Sequence, residues 1–213
     1  MGDRAILHYS AQDVRALLAA GDVASVVFYA NELEETAFQQ AISPLVEAAQ
    51  VRGVAALVAG ESRVAGRVGA DGLHLGADVP TLAEAIDKFA PGMIVGAGNV
   101  KTRHAALIIG EIRPDYVMFG KPGGDSRPEP HPKNLALGDW WSQMVEIPCI
   151  VLGGSSIDSA LVVAKSGADF VALENAIFTP ENGPINMREA ENRLRQANEM
   201  LDQNAPRFET VED

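Results

Sequence analysis

Eight times along this chain a short apolar run is followed by a segment of helical periodicity, and no other feature constrains the fold as tightly. The candidate strands are Ala5–His8, Ser25–Tyr29, Val54–Val58, Gly72–Leu75, Met93–Gly96, Tyr116–Phe119, Ile147–Leu152 and Phe170–Leu173. The candidate helices are Asp13–Ala20, Glu34–Gln50, Ser62–Val68, Thr81–Phe89, Lys101–Ile112, Leu137–Val145, Ser156–Ser166 and Asn186–Gln203. Acidic residues between Glu32 and Glu35 suit a helix amino end, and Gly21 and Pro91-Gly92 supply stops. Gly69-Ala70-Asp71 and Gly167-Ala168-Asp169 form a near-repeat, read as a turn in which glycine caps one helix and aspartate opens the next strand. Strands that alternate with helices imply a parallel sheet. Eight such units in 213 residues, with no linker between them, fit an α/β fold of one closed (β/α)8 TIM barrel better than an open doubly wound sheet. Residues 1–205 are expected to form that domain, and residues 206–213 an acidic, disordered tail.

Composition narrows the partners. The 47% apolar content supplies a core, and no run of about 18 apolar residues could span a bilayer. Met1–Ser10 carries no apolar run before a small-residue cleavage site, so no secretory leader is expected. A lone cysteine, Cys149, cannot form an internal disulfide, which points to the cytoplasm. Twenty-nine acidic against seventeen basic residues argue against a nucleic-acid surface. They leave room for a small anion, because distant charge is screened beyond about 8 Å in physiological salt. A homo-oligomer stays open.

In a barrel the chemistry gathers at the strand carboxyl ends. The clearest feature there is Gly153-Gly154-Ser155 after the seventh candidate strand, opposite Glu174-Asn175 after the eighth. Glycine lets backbone N–H groups approach a ligand closely, and the loops after strands seven and eight of this fold frequently hold phosphate. A small phosphorylated ligand is therefore expected on Gly153, Gly154, Ser155, Glu174 and Asn175. The longest irregular segment, Gly120–Gly138, follows the sixth candidate strand and has the length of a lid or binding loop. His74 in the fourth strand reads as a hydrogen-bonded core histidine or a ligand contact. The remaining histidines and Cys149 show no zinc spacing, and Cys149 reads as a buried small hydrophobe.

Three segments, Val68–Gly76 (VGADGLHLG), Pro114–Gly120 (PDYVMFG) and Ile150–Phe178, resemble thiamine phosphate synthase and its relative, the thiazole tautomerase, and the likeness extends over about residues 20–180. The resemblance implies a (β/α)8 barrel and a role in thiamine biosynthesis. The implied reaction couples a pyrimidine diphosphate to a thiazole phosphate, or acts on a phosphorylated thiazole. It also implies Mg²⁺, with Asp78 and Glu61 as the corresponding carboxylates. Ser126 and Arg127 fall near a Thr-Lys pair that contacts the thiazole phosphate side, and Lys121 falls where the tautomerase places a proton-moving histidine. Lys121 is thus a candidate catalytic residue, with charge pairing to phosphate favoured over proton transfer. The sequence departs from the family where the diphosphate is gripped. Val27–Asn31 carries no cation, Ala59-Gly60-Glu61 stands where Asn-Asp-Arg is usual, and Gly98 replaces a serine. Those departures keep a second reading open, a phosphate-ligand-binding or regulatory homologue with impaired catalysis, or a tautomerase-like isomerase.

Overall fold

The computed structural model describes Leu7, residues 9–178 and residues 186–204. Seven strands stand in chain order in one sheet, each parallel to the next. They are β1 (Ser25–Phe28), β2 (Ala55–Ala59), β3 (Gly72–Gly76), β4 (Ile94–Gly98), β5 (Tyr116–Phe119), β6 (Cys149–Leu152) and β7 (Phe170–Ala172). The helices are α1 (Ala11–Leu18), α2 (Glu35–Gln50), α3 (Ser62–Val68), α4 (Val79–Phe89), α5 (Arg103–Glu111), α6 (Pro132–Met144), α7 (Ser159–Ala164), α8 (Asn175–Phe178) and α9 (Met187–Asn204). Seven of the eight expected strands are present. The expected first strand, Ala5–His8, lies outside the described residues apart from Leu7, and so does the tail at 206–213.

The sheet curls until its two ends approach. Tyr29, just past β1, lies close enough to Glu174, just past β7, for the carboxylate to disfavour ionisation of its phenol. Near the chain ends, α1 packs on α9, and the rings of Tyr9 and Phe178 sit 6.2 Å apart. One face of the sheet points into the curl and carries a small cluster of Leu57, Tyr116, Met118 and Leu152. The other face, with Val95, Ala97, Val117, Phe119 and Val151, joins the larger core beneath the helices. Strands buried on both faces explain why the chain reads as continuous apolar runs and not as alternation. β4 is the exception on its inner face, where Gly96 and Gly98 leave room for large neighbours. A Cβ on Gly96 would collide with the Tyr116 ring, and one on Gly98 with the His74 ring.

The aspartates that open alternate strands do more than mark turns. Asp71 Oδ2 accepts the Ala56 N–H at 2.8 Å, Asp115 Oδ2 that of Val95 at 2.7 Å, and Asp169 Oδ2 that of Cys149 at 2.8 Å. Each carboxylate reaches back to the strand before its own, pinning adjacent strands at their amino ends. The turns that deliver two of them pass through Gly69 and Gly167, both with φ in the left-handed region.

Two helix starts differ from expectation by more than two residues. α6 begins at Pro132 and not at Leu137, because His131 caps it by accepting the Lys133 N–H and Pro132 has no N–H of its own to lose. The irregular segment therefore ends at His131. α7 is shorter than expected and opens at Ser159, since Ser156 is drawn into a turn with Asp158. No described helix is long and apolar enough to cross a membrane.

Replacing Asp71 by Ala removes the acceptor of a fully buried strand amide, a loss of about 1–3 kcal/mol. Urea titration is expected to show a lower midpoint with an unchanged slope, the signature of lost stability without a change in the surface exposed on unfolding.

Candidate functional site

The parallel ladder delivers the loops after β1 to β5 to one rim, where they enclose a cavity of about 330 Å³. Its wall is built from Tyr29 and Asn31 after β1, Glu61 after β2, His74 within β3, Asn99 after β4 and Lys121 after β5, with small residues between them. Asn31 and Asn99 both hold φ in the left-handed region. Among the described lining residues, Glu61 and Lys121 carry the formal charges, so the cavity is close to neutral.

Its floor is aromatic. His74 is 6% exposed, and its Nδ1 lies 2.6 Å from the Tyr116 hydroxyl. The His74 ring stacks on Tyr116 with centroids 5.8 Å apart and meets Tyr29 edge-on at 5.9 Å. Burial lowers the imidazole pKa to about 4, so the ring is neutral at pH 7. Burial also raises both phenols, reinforced by Glu174 at Tyr29 and by Tyr29 and Asp115 at Tyr116. Tyr29 and His74 thus present uncharged polar rings to the cavity, with Tyr116 buried behind His74, a setting that suits a heteroaromatic ligand. His74 is a hydrogen-bonded core histidine, placed where it also lines the cavity.

The residues expected to hold phosphate converge on the neighbouring part of the rim. Gly153, Gly154 and Ser155 are buried there beside β7. Glu174 and Asn175 follow, and Asn175 opens the short α8. Several donors here are already engaged, that of Gly153 by the Ala172 carbonyl of β7 at 2.9 Å and others by the 121–131 segment. Ser155 N–H donates to the Arg127 carbonyl at 2.7 Å and Ser156 N–H to that of Pro128 at 3.3 Å. Asn175 gives its amide N–H to Asp125 Oδ2 at 2.6 Å and its side-chain Nδ2 to Oδ1 at 2.7 Å. Gly123 N–H donates to Glu174 Oε2 at 2.8 Å. Burial raises the Asp125 carboxyl pKa, against the pull of its Asn175 and other hydrogen bonds. Sequence reading missed Asp125 because nothing within the loop shows that Asn175, fifty residues later, lies against it. Ser126 and Arg127 are exposed on the outer side of the segment, and Arg127 contributes its carbonyl to the rim.

The two carboxylates expected to hold metal are placed differently. Glu61 lines the cavity and makes no side-chain cap bond to α3. Asp78 is exposed and caps α4, its Oδ2 accepting the Thr81 N–H at 3.1 Å and the Thr81 hydroxyl at 2.5 Å, bonds that hold its carboxyl below the usual range. No cluster of three or more His, Cys, Asp or Glu that could hold a metal ion occurs among the described residues. One free-standing oxygen ligand suits a Mg²⁺ ion held mainly by a ligand's phosphates, and not an all-protein cage. Cys149 is fully buried, and burial raises its thiol to about 11, which removes it as a nucleophile.

Comparison with known proteins agrees with this architecture. Residues 2–177 match the family described as thiamine monophosphate synthase. A curated thiamine-phosphate synthase of Rhodospirillum centenum is 33% identical over 176 residues, covering 82% of this chain and 84% of that protein. One from Hyphomonas neptunium is 32% identical over 182 residues, with 83% and 82% covered. The solved thiamine phosphate pyrophosphorylase of Pyrococcus furiosus superposes with a TM-score of 0.72 at 24% identity over 92% of both chains, a likeness of fold.

The imidazole generates a pH prediction. An unfolded chain protonates His74 near pH 6.5 while the folded chain resists until about 4, so its contribution is present above the first value and lost on acidification toward the second. Between pH 7 and 4.5 the wild type is expected to lose about 2–3 kcal/mol more than His74→Gln, read by urea unfolding at both values.

Proposed function

Because the chain belongs to the thiamine monophosphate synthase family, we propose that it acts in thiamine biosynthesis as a synthase-type transferase, coupling a pyrimidine carried on diphosphate to a thiazole phosphate. The observation that carries this reading is the rim cavity, whose Tyr29 and His74 rings, the latter backed by Tyr116, suit a heteroaromatic ring and whose wall includes Lys121. In the coupling, the bond from the pyrimidine methylene to the diphosphate oxygen breaks, and a bond from that carbon to the thiazole nitrogen forms. Neutral His74 and the Tyr29 phenol orient the ring without placing a competing cation beside the developing positive charge, and Tyr116 holds His74 from behind. Lys121 pairs with phosphate oxygens as charge moves onto the leaving group. Thiamine-phosphate synthases generally depend on Mg²⁺, which neutralises diphosphate, and Glu61 is the carboxylate the wall offers it. A lone buried cysteine suits work in the reducing cytoplasm.

A second reading rests on charge. With Lys121 the one cation among the described lining residues and none at Val27–Asn31, the cavity offers a diphosphate little of the grip the reaction needs. That favours a binding or isomerising homologue.

Supplying purified protein with pyrimidine diphosphate, thiazole phosphate and Mg²⁺ separates the two. The transferase reading expects thiamine phosphate and diphosphate to appear in equal amounts, and Lys121→Ala to lower kcat/KM about 10²–10³-fold. Calorimetric binding of thiazole phosphate without diphosphate release assigns the second role.

A further inference from the structure

The turn that carries Lys121 is tied to the far edge of the sheet. Lys121-Pro122-Gly123-Gly124 follows β5 and closes on itself, the Gly124 N–H donating to the Lys121 carbonyl at 3.0 Å. Proline in its second place fixes one φ, and Gly123 in its third takes a φ of 65°, the combination found in a type II turn. Gly124 has to be bare for the turn to close, since a Cβ there would lie 2.8 Å from the Lys121 carbonyl oxygen and 3.4 Å from its Cγ. The turn therefore moves as one unit, and the root of the Lys121 side chain moves with it. That unit reaches outward through the Gly123 N–H, which donates to Glu174 Oε2 at 2.8 Å. Glu174 stands just past β7 and beside Tyr29, just past β1, so one carboxylate ties the Lys121 turn to the place where the first and last strands approach. Lys121 is exposed and has a long flexible stem, so how well its ammonium serves the cavity depends on how firmly its backbone is held. Charge alone gives Glu174 the wrong sign for a site that receives phosphates, because a carboxylate at the rim repels them.

We propose that Glu174 is a positioning residue for the transfer: by accepting the Gly123 N–H it holds the Lys121–Gly124 turn, and so keeps the Lys121 ammonium at the cavity. The inference rests on the reading of Lys121 as the cation that meets diphosphate, and it adds the group that sets that cation in place. The segment beyond the turn stays docked without Glu174, through Asp125 on Asn175 and through the Arg127 and Pro128 carbonyls. Loss of the carboxylate therefore loosens the turn and leaves the fold intact.

Two variants separate position from charge. Glu174→Ala removes the acceptor, whereas Glu174→Gln removes the charge and keeps a carboxamide oxygen that still accepts an N–H. Calorimetry with Mg²⁺ and inorganic diphosphate is expected to show Glu174→Ala binding roughly three- to tenfold more weakly than wild type, with Glu174→Gln recovering most of that loss. In a Lys121→Ala background, adding Glu174→Ala is expected to weaken binding by under about twofold, the coupling that a role exercised through Lys121 demands. Equal or tighter binding by Glu174→Ala, an equal loss in Glu174→Gln, or an undiminished loss in the Lys121→Ala background overturns the proposal. Amide hydrogen exchange reads the contact itself. The Gly123 N–H is expected to exchange about tenfold faster or more in Glu174→Ala and near the wild-type rate in Glu174→Gln. Unchanged Gly123 exchange in Glu174→Ala sinks the positioning role alone, whatever the ligand does. Failure of wild type to bind diphosphate, with Gly123 responding as expected, overturns the functional reading and through it the role given to Glu174, so the exchange data show which of the two has failed.

Discussion

In a parallel ladder the hydrogen bonds slant the same way at every step, so β1 to β7 deliver their carboxyl ends, and the loops that follow, to one rim. Everything chemical in this protein is a consequence of that directionality. Tyr29, Glu61, His74, Asn99 and Lys121 lie far apart in sequence and meet only because each sits at or near the same end of its strand. The curl of the sheet then brings the first and last strands close enough for Glu174 to act on Tyr29. Glycine on the inner face of β4 completes the arrangement, because without the space above Gly96 and Gly98 the His74 and Tyr116 rings could not lie across the interior.

The architecture was legible because it is written in local signals. The span of α3 matches its expected limits, and β5 does so from an uninterrupted apolar run. The near-repeat ending in Asp71 and Asp169 announced a turn, but not the bond each aspartate makes to the preceding strand, since that partner lies fifteen or twenty residues earlier. The start of α6 was missed for a local reason. His131-Pro132 is a good opening, yet it stands at the end of a proline-rich stretch that reads as loop throughout. The site was legible in part. The rim residues after β6 and β7 could be picked from glycine and strand position, whereas their occupation by Asp125, Arg127 and Pro128 is a tertiary fact with no local signature.

The two parts of the rim differ in what they ask of a ligand. The cavity above β1 to β5 offers rings, amides and one charge of each sign, a setting that rewards shape and hydrogen bonding over net charge. The β6–β7 rim offers backbone and carboxamide N–H groups, and in this structure they face the chain's own oxygens. Asp78 shows the same economy from another side, for its carboxylate serves the first turn of α4.

The three aspartate bonds sit at the strand amino ends, the opposite end from the cavity. What keeps the scaffold assembled is therefore spatially uncoupled from what touches a ligand. Substitutions can accumulate around the mouth at little expense to the frame. Exchanging residues at the cavity mouth leaves these three bonds untouched, so the frame does not depend on which side chains line the opening.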